Sequence, residues 1–437
     1  MTTPKVHIIG AGLAGLSAAV RLADAGLPVA VYEGAGQAGG RARSYFDEAL
    51  GCRIDNGNHL LLSGNRSAMA YLDLIGARAS LAGPDTAAFP FLDLKTGARW
   101  TVKMSESALP LWVFDEDARV PGTTPLDYAA TLKLFFAGAD ATVEEVLGPG
   151  GALYERFWEP MAVSVLNTPA DRASARLLVP VLLETFGRGA RACRPRIARE
   201  GLSESFVTPA LDFLVRHGVD IQFGQRLTGL AIRDHAVEAL TFSRGSVALG
   251  RDDRVVLALP SWAAGDLVPG LRAPQASFPI VNVHYRLPQA VNTGEPELLG
   301  LVGGCAHWLF LRGAMASITV SAAEALAQDD AGTIAARIWP EVAMALAMPQ
   351  ATMPPARVVK ERRATFAQDP ASLRLRAKTR TSLGNLVLAG DWTDTGLPAT
   401  IEGAIRSGER AAAVLTRDLG SFQSARRSAG ASQPGFA

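Results

Sequence analysis

Lys5–Ile9 (KVHII) is a short apolar run, Leu13–Ala25 carries apolar residues at helical spacing, and Val29–Glu33 (VAVYE) is a second short run. Short apolar runs bounded by glycine predict buried strands, and the helical period between them predicts a helix that Gly26 ends. The far end of the chain repeats the theme. Asn385–Ala389 (NLVLA) predicts a strand, and a helix opens at Thr400 and runs through Gly408. In the middle, Leu202–His217 reads as an amphipathic helix and Val219–Phe223 as a strand. Two short strands then lead to a run at Arg254–Leu259 that Pro260 ends. Strand–helix–strand alternation of this kind predicts an α/β fold with a parallel sheet.

The remaining segments have another texture. Residues 70–200 predict helices rich in Leu, Phe and Trp. Residues 266–365 mix strands (IVNVHYRL, HWLFLR, SITVSA) with helices starting near Ala322 and Thr333. Residues 421–437 are polar and poor in large apolar groups, which predicts a frayed tail. At 437 residues two domains are expected. The reading is a discontinuous Rossmann-type nucleotide domain from 1–69, 201–265 and 366–420, and an α+β substrate domain from 70–200 and 266–365.

Composition narrows the field. A net charge of +1 argues against a nucleic-acid binder. Cys52, Cys193 and Cys305 are far apart and odd in number, which predicts a reducing, cytoplasmic setting without a disulfide framework. The N-terminal strand begins too early for a signal peptide, and no apolar run reaches the roughly 18 residues of a membrane span. No metal-ligand cluster is evident.

Gly10, Gly12 and Gly15 form G-x-G-x-x-G between the first strand and the first helix, opening at Leu13-Ala14. Gly10 permits the tight turn, Gly12 lets the backbone approach a pyrophosphate, and Gly15 lets helix and strand pack closely. Phosphates would sit on the helix N-terminus. Glu33 ends the second strand, where an acid binds ribose hydroxyls. A second glycine turn, Gly39-Gly40-Arg41 with Arg43, can bring guanidinium groups to a second phosphate or the far end of a dinucleotide.

The Glu33…Gly-Gly-Arg pattern resembles the signature of the flavin amine oxidase and phytoene desaturase superfamily. That resemblance implies FAD, with Gly390-Asp391 at the ribitol. It also implies that the helix begun by Ile401 and Glu402 aims its N-terminus at the flavin pyrimidine ring.

Four stretches are similar to the bacterial hydroxysqualene dehydroxylase (squalene-associated, FAD-dependent desaturase) family. They are DNGNHLLLSGN (55–65), RFWEPMAVSVLNTPADRASARLL (156–178), KERRATFAQDP (360–370) and LAGDWTDTGLPATIEGAIRSG (388–408). Asn58 departs from the glutamine expected there, keeping the amide on a shorter arm. The resemblance implies conversion of hydroxysqualene to squalene, with reduced FAD as hydride donor. Loss of water from an allylic alcohol leaves a delocalised cation. The site must therefore protonate the leaving oxygen, stabilise a cation and keep a C30 isoprenoid out of water.

Phe157, Trp158 and Met161, with Val163 and Leu166, are the candidate substrate lining. His59 is the candidate general acid, oriented or charged by Asp55, against the plain reading of Asp55–Gly57 as a turn. Glu159, His284 and His307 are further candidates. His7 reads as core, His217 as a helix end and His235 as a turn. Arg188, Arg191, Arg194, Arg196 and Arg199 read either as a solvated loop or as a peripheral contact with anionic lipid. No second G-x-G-x-x-G has a strand–helix setting, so an electron donor outside the chain is expected.

The rival readings are a carotenoid desaturase, an amine oxidase and a non-catalytic prenyl carrier of the GDI type.

Overall fold

Strands of three or four residues that are buried from end to end build the first sheet: Val6–Ile9, Val29–Tyr32, Arg254–Leu257 and Leu386–Leu388, with the more open Asp220–Gln222 at one edge. The computed structural model describes residues 4–291 and 297–430, with side chains of the last helix described through Leu419. All neighbours in this sheet run parallel, Val6 standing opposite both Val29 and Arg254, and Val255 opposite Leu386. Continuous apolar runs are what a parallel sheet covered on both faces requires.

Helices Leu13–Asp24 and Ile401–Gly430 pack together on one face. A Cβ on Gly408 would lie 2.1 Å from the Ala14 carbonyl oxygen, so the two helices approach this closely only with glycine there. A three-stranded antiparallel sheet (Leu227–Arg233, Ala236–Phe242, Gly245–Ala248) covers the other face through Leu227, Val237, Leu240 and Phe242.

The second sheet has seven strands, in spatial order Ala356–Phe366, Ser277–Arg286, Met315–Val320, Trp308–Arg312, Glu297–Val302, Ala88–Asp93 and Arg99–Lys103. Pairing is antiparallel except between Glu297–Val302 and Ala88–Asp93. Period-two alternation sorts its side chains. Val281, Val283, Tyr285, Leu309, Ile318 and Val320 face helix Ala331–Ala345. Asn282, Trp308, Phe310 and Thr319 point the opposite way, onto the cavity, while His284 and Ser317 on that same face are bonded to each other and do not border it.

Several sequence expectations change. The helix expected near Ala322 is absent: Ala322 has φ +49°, outside the right-handed helical region, and only a 3-10 turn at Leu326–Gln328 follows. The helix expected near Thr333 begins at Ala331, capped by Asp330 accepting from the Thr333 N–H. Leu202–His217 is a π-turn (Ser203–Val207) followed by helix Thr208–Arg216. A second π-turn, Tyr154–Trp158, precedes helix Glu159–Leu166. Each π-turn sits just before a proline, Pro209 or Pro160, which has no N–H for an α-type bond. The terminal helix runs on through Gly430, into the stretch expected to fray, while 431–437 lie outside the described residues.

Candidate active site

The glycines at the first turn do different jobs. Gly10 has φ +101°, and a Cβ there would stand 2.6 Å from the Ala258 oxygen; on Gly15 it would stand 1.9 Å from the Gly10 oxygen. These two let the turn close. Gly12 meets nothing within 4 Å, so its open side faces the cavity rather than another element. The Glu33 carboxylate accepts from the Ala11 N–H (2.7 Å) and the Ala35 N–H (2.8 Å), which pins it beside that turn on the cavity wall.

The second glycine turn lies across the first, with the Gly39 N–H donating to the Ala11 oxygen at 2.8 Å. Arg41 pairs with Asp391 at 2.8 Å and donates to the Ala364 oxygen, and the carboxylate beside it holds the guanidinium firmly charged. Arg43 donates to the Gly40 oxygen and stays off the cavity wall, so it braces the loop.

Gly390, Asp391, Ile401 and Glu402 border the same cavity as Gly10, Gly12, Leu13, Ala14, Gly39 and Gly40. The Glu402 carboxylate, however, is engaged elsewhere. It accepts from the Ser67 and Ala68 N–H groups (2.9 and 2.8 Å), capping helix Arg66–Leu74, and pairs with Arg406. Only its backbone remains for a ligand. A crevice walled by glycine backbone and a helix N-terminus, with an acid at one end and an Arg–Asp pair at the other, fits an extended dinucleotide.

At the inner end stands the turn Asn56–His59. Asp55 does not hydrogen-bond His59 and acts on it only through its charge, which favours the protonated ring but is outweighed by burial. Its carboxylate is buried, accepting from Ser44 Oγ (2.6 Å) and the Leu202 N–H (2.9 Å) and pairing with Arg312 at 3.0 Å. It anchors the strand that leads into the turn. His59 borders the cavity, and its Nδ1 lies 2.9 Å from the Gly57 carbonyl oxygen. A carbonyl only accepts, so Nδ1 carries the hydrogen and neutral Nε2 is an acceptor. Burial pushes the His59 imidazole below its usual pKa range and keeps it neutral. As a proton donor it would first have to be charged against that burial.

Asn58 donates to Thr319 Oγ1 at 3.1 Å and Thr319 in turn to Asn282 Oδ1 at 2.8 Å, so the shorter amide reaches the second sheet directly. Asn56 donates to Glu361 Oε2 at 3.2 Å.

Beyond the turn the cavity, of about 830 Å3, becomes apolar and aromatic. Phe157 and Met161 line it, as expected, but Trp158 turns into the core, and Val163 and Leu166 also lie behind the wall. Sequence reasoning missed Phe91, Trp308 and Phe310. Period-two alternation within HWLFLR was the available signal for the last two. Phe91 lies with its ring centre 5.6 Å from Trp308 and 6.4 Å from Phe157, edge-on to the latter.

The other candidates sit elsewhere. Glu159 is exposed, among Glu144, Glu155 and Asp171. His284 is fully buried on Ser317, and His307 accepts from the Ser321 N–H away from the cavity wall. His7 contacts Tyr32 and Asp253, His217 closes a helix, and His235 has φ +58° in a turn. Cys52, Cys193 and Cys305 are free thiols, and no group of three or more potential metal ligands occurs among the described residues.

Residues 13–416 match the family described as flavin containing amine oxidoreductase, and the chain belongs to it: a flavoenzyme whose cofactor is FAD. The protein is 47% identical to hydroxysqualene dehydroxylase of Rhodopseudomonas palustris over 93% of this chain and 97% of the relative. It is 44% identical to the hydroxysqualene dehydroxylase of Sinorhizobium fredii over 94% and 98%. Within the larger family it therefore belongs to the hydroxysqualene dehydroxylases. The zeta-carotene desaturase of Synechocystis is more distant, at 21% identity over 96% of this chain and 99% of that one. Putrescine oxidase bound to putrescine shares the fold, with TM-score 0.68 at 17% identity, over 95% of this chain and 99% of that one.

Proposed function

We propose that the protein reduces hydroxysqualene to squalene, replacing the allylic hydroxyl with hydrogen. The observation that carries this reading is the single cavity that joins a glycine-walled dinucleotide crevice to an aromatic chamber, with polar side chains concentrated at the junction. It rests on a division of labour between a discontinuous nucleotide unit (1–69, 201–265, 366–420) and a substrate unit (70–200, 266–365).

When bound and reduced, FAD supplies a hydride. The chain's own residues do the rest. Glu33, Gly12 and the Leu13 helix end hold the dinucleotide, while Arg41, Asp391 and the backbone at Ile401 hold its far end. Neutral His59 accepts a hydrogen bond from the substrate hydroxyl at Nε2 and so orients the C–O bond. Phe157 and Met161 exclude water that would return a cation to the alcohol. The faces of Phe91 and Trp308 stabilise positive charge beside them through their ring quadrupoles.

The substrate is insoluble in water, and the surface supports delivery from a membrane. No helix among the described residues is long and apolar enough to cross one. Between residues 105 and 137, however, Phe114, Leu126 and Phe136 are exposed, and the exposed Arg191 pairs with Glu106 of this segment. Helix Leu178–Glu184 packs against this segment, and its Val181 and Glu184 line the cavity while Leu183 faces outward. The reading is peripheral contact with the inner face of the cytoplasmic membrane, and a separate electron donor reloads the flavin.

The test is anaerobic mixing of photoreduced holoenzyme with hydroxysqualene. Squalene is expected in one turnover as the flavin reoxidises. No squalene, together with activity on phytoene-like polyenes and oxidised enzyme, would replace this reading with a desaturase.

A further inference from the structure

The dehydroxylation needs a proton donor, and the geometry of His59 leaves its Nε2 accepting. The cavity wall contains five carboxylates among the described residues: Glu33, Glu184, Glu361, Asp391 and Glu402. Four are committed. Glu33 accepts two backbone N–H groups, Asp391 pairs with Arg41, Glu184 takes both its bonds from Arg406, and Glu402 caps Ser67 and Ala68. Glu361 is different. Its one described hydrogen bond comes from the Asn56 amide at 3.2 Å, and it forms no ion pair among the described residues, although the Arg41 guanidinium, paired with Asp391, lies near enough to feel its charge. A carboxyl group donating a proton needs an oxygen that no fixed N–H or cation occupies.

Local backbone explains why Glu361 reaches the cavity. It lies on the edge strand Ala356–Phe366, where the pairing with Ser277–Arg286 slips: Phe278 stands opposite Thr365, but Ile280 stands opposite Glu361. Two residues on one strand thus span four on the other. Bulges of this kind re-aim side chains beside active sites. This one brings Glu361 to the cavity wall, where Arg362 and Arg363 border the same space while remaining largely exposed, and frees the Ala364 carbonyl for Arg41. The Asn56 bond ties Glu361 to the turn that carries His59 three residues later.

We propose that Glu361 is the proton donor to the departing hydroxyl, an inference that rests on the dehydroxylase reading above. His59 Nε2 accepts a hydrogen bond from the substrate hydroxyl, whose hydrogen stays on its oxygen, and this presents an oxygen lone pair to the Glu361 carboxyl. The carboxyl O–H bond breaks as its proton moves to that oxygen. The C–O bond then breaks, and its electron pair leaves with a water molecule. The carbon left behind is an allylic cation, which hydride addition converts to the hydrocarbon. This two-electron reduction is matched by oxidation of the reduced FAD. Glu361 is left as a carboxylate and recovers a proton from solvent.

Glu361→Gln preserves shape and can still accept from Asn56, so flavin content and melting temperature should equal those of the wild type. Single-turnover squalene formation from the alcohol should fall by about 100-fold or more, the range that general acid catalysis contributes. Glu361→Asp should recover part of it. The decisive substrate is the acetate ester of hydroxysqualene, whose leaving group needs no proton. On it, wild type and Glu361→Gln should react within about 10-fold of each other, an allowance well below the catalytic loss on the alcohol. Equal losses on alcohol and ester would make Glu361 a structural brace for the Asn56–His59 turn and overturn the proposal. So would an undiminished rate on the alcohol. Absence of squalene with wild type itself rejects the reaction, whereas wild-type turnover with an unaffected variant rejects only Glu361.

Discussion

The two sheets hold their ligands in different currencies. The parallel sheet and its first helix present backbone: Gly10 and Gly15 have carbonyl oxygens where a side chain would be, and Gly12 offers bare main chain to the cavity. The seven-stranded sheet presents side chains, with Asn282, Thr319, Trp308, Phe310 and Glu361 projecting from alternate positions of its strands. A backbone site has no rotamers to adjust, so substitutions there act all or none. A side-chain site can be trimmed group by group.

Two glycine variants separate closure of the turn from binding. In Gly15→Val the new Cβ would stand 1.9 Å from the Gly10 oxygen, and backbone on both sides must move. Loss on the order of 4 kcal/mol or more is expected, with little folded flavoprotein recovered. Gly12→Ala meets no protein atom within 4 Å and has an ordinary extended backbone (φ −71°, ψ 174°). It should fold with an unchanged melting temperature yet purify without bound flavin, because the methyl occupies the pyrophosphate approach. Yellow Gly12→Ala protein with wild-type affinity for FAD would break the distinction.

The same contrast decides what could be read from the chain. KVHII, GAGLAG and VAVYE declare strand, turn and strand within a few residues, because neighbours in sequence determine their geometry. The substrate side is settled by residues distant in the chain. Ala322 leaves the helical region while its N–H bonds to Asn167, far away in the sequence. At the site, His59 could be placed beside the cavity from its distance past the second glycine turn. That Asp55 belongs to Arg312, and Glu361 to Asn56, depends on pairs 257 and 305 positions apart. Glu361 lay within a stretch that marks the family, but nothing local announces a bulge.

Side-chain sites also titrate, which backbone sites do not. His284 is fully buried with Nδ1 2.8 Å from Ser317 Oγ, and burial pushes it down to about 4 from 6.5. Its folded pKa is the lower one, so between those values the unfolded chain binds the extra proton, and stability falls as pH drops through the window. One pKa unit corresponds to about 1.4 kcal/mol, so the loss is on the order of 3 kcal/mol when the window has been crossed. Denaturant unfolding at pH 7 and pH 4.5 should show His284→Asn losing about 2 kcal/mol less than wild type. Parallel losses in the two proteins would mean that other groups set the acid limit.

The smallest stability effect belongs to the outer surface of the substrate side, where the functional effect is expected to be large. Leu126 and Phe136 are 80% and 88% exposed, so Leu126→Ser with Phe136→Ser should change unfolding free energy by no more than about 0.5 kcal/mol per site. Asp115, Glu116 and Asp117 occupy the same segment and offset nearby positive charge, so apolar insertion should outweigh attraction to lipid headgroups. Sedimentation with anionic vesicles should therefore drop more for this pair than for Arg188→Ser with Arg191→Ser. Turnover of detergent-dispersed hydroxysqualene should be preserved in both variants. If both sediment like wild type, the exposed side chains do not contact the bilayer, and substrate reaches the aromatic chamber by another face.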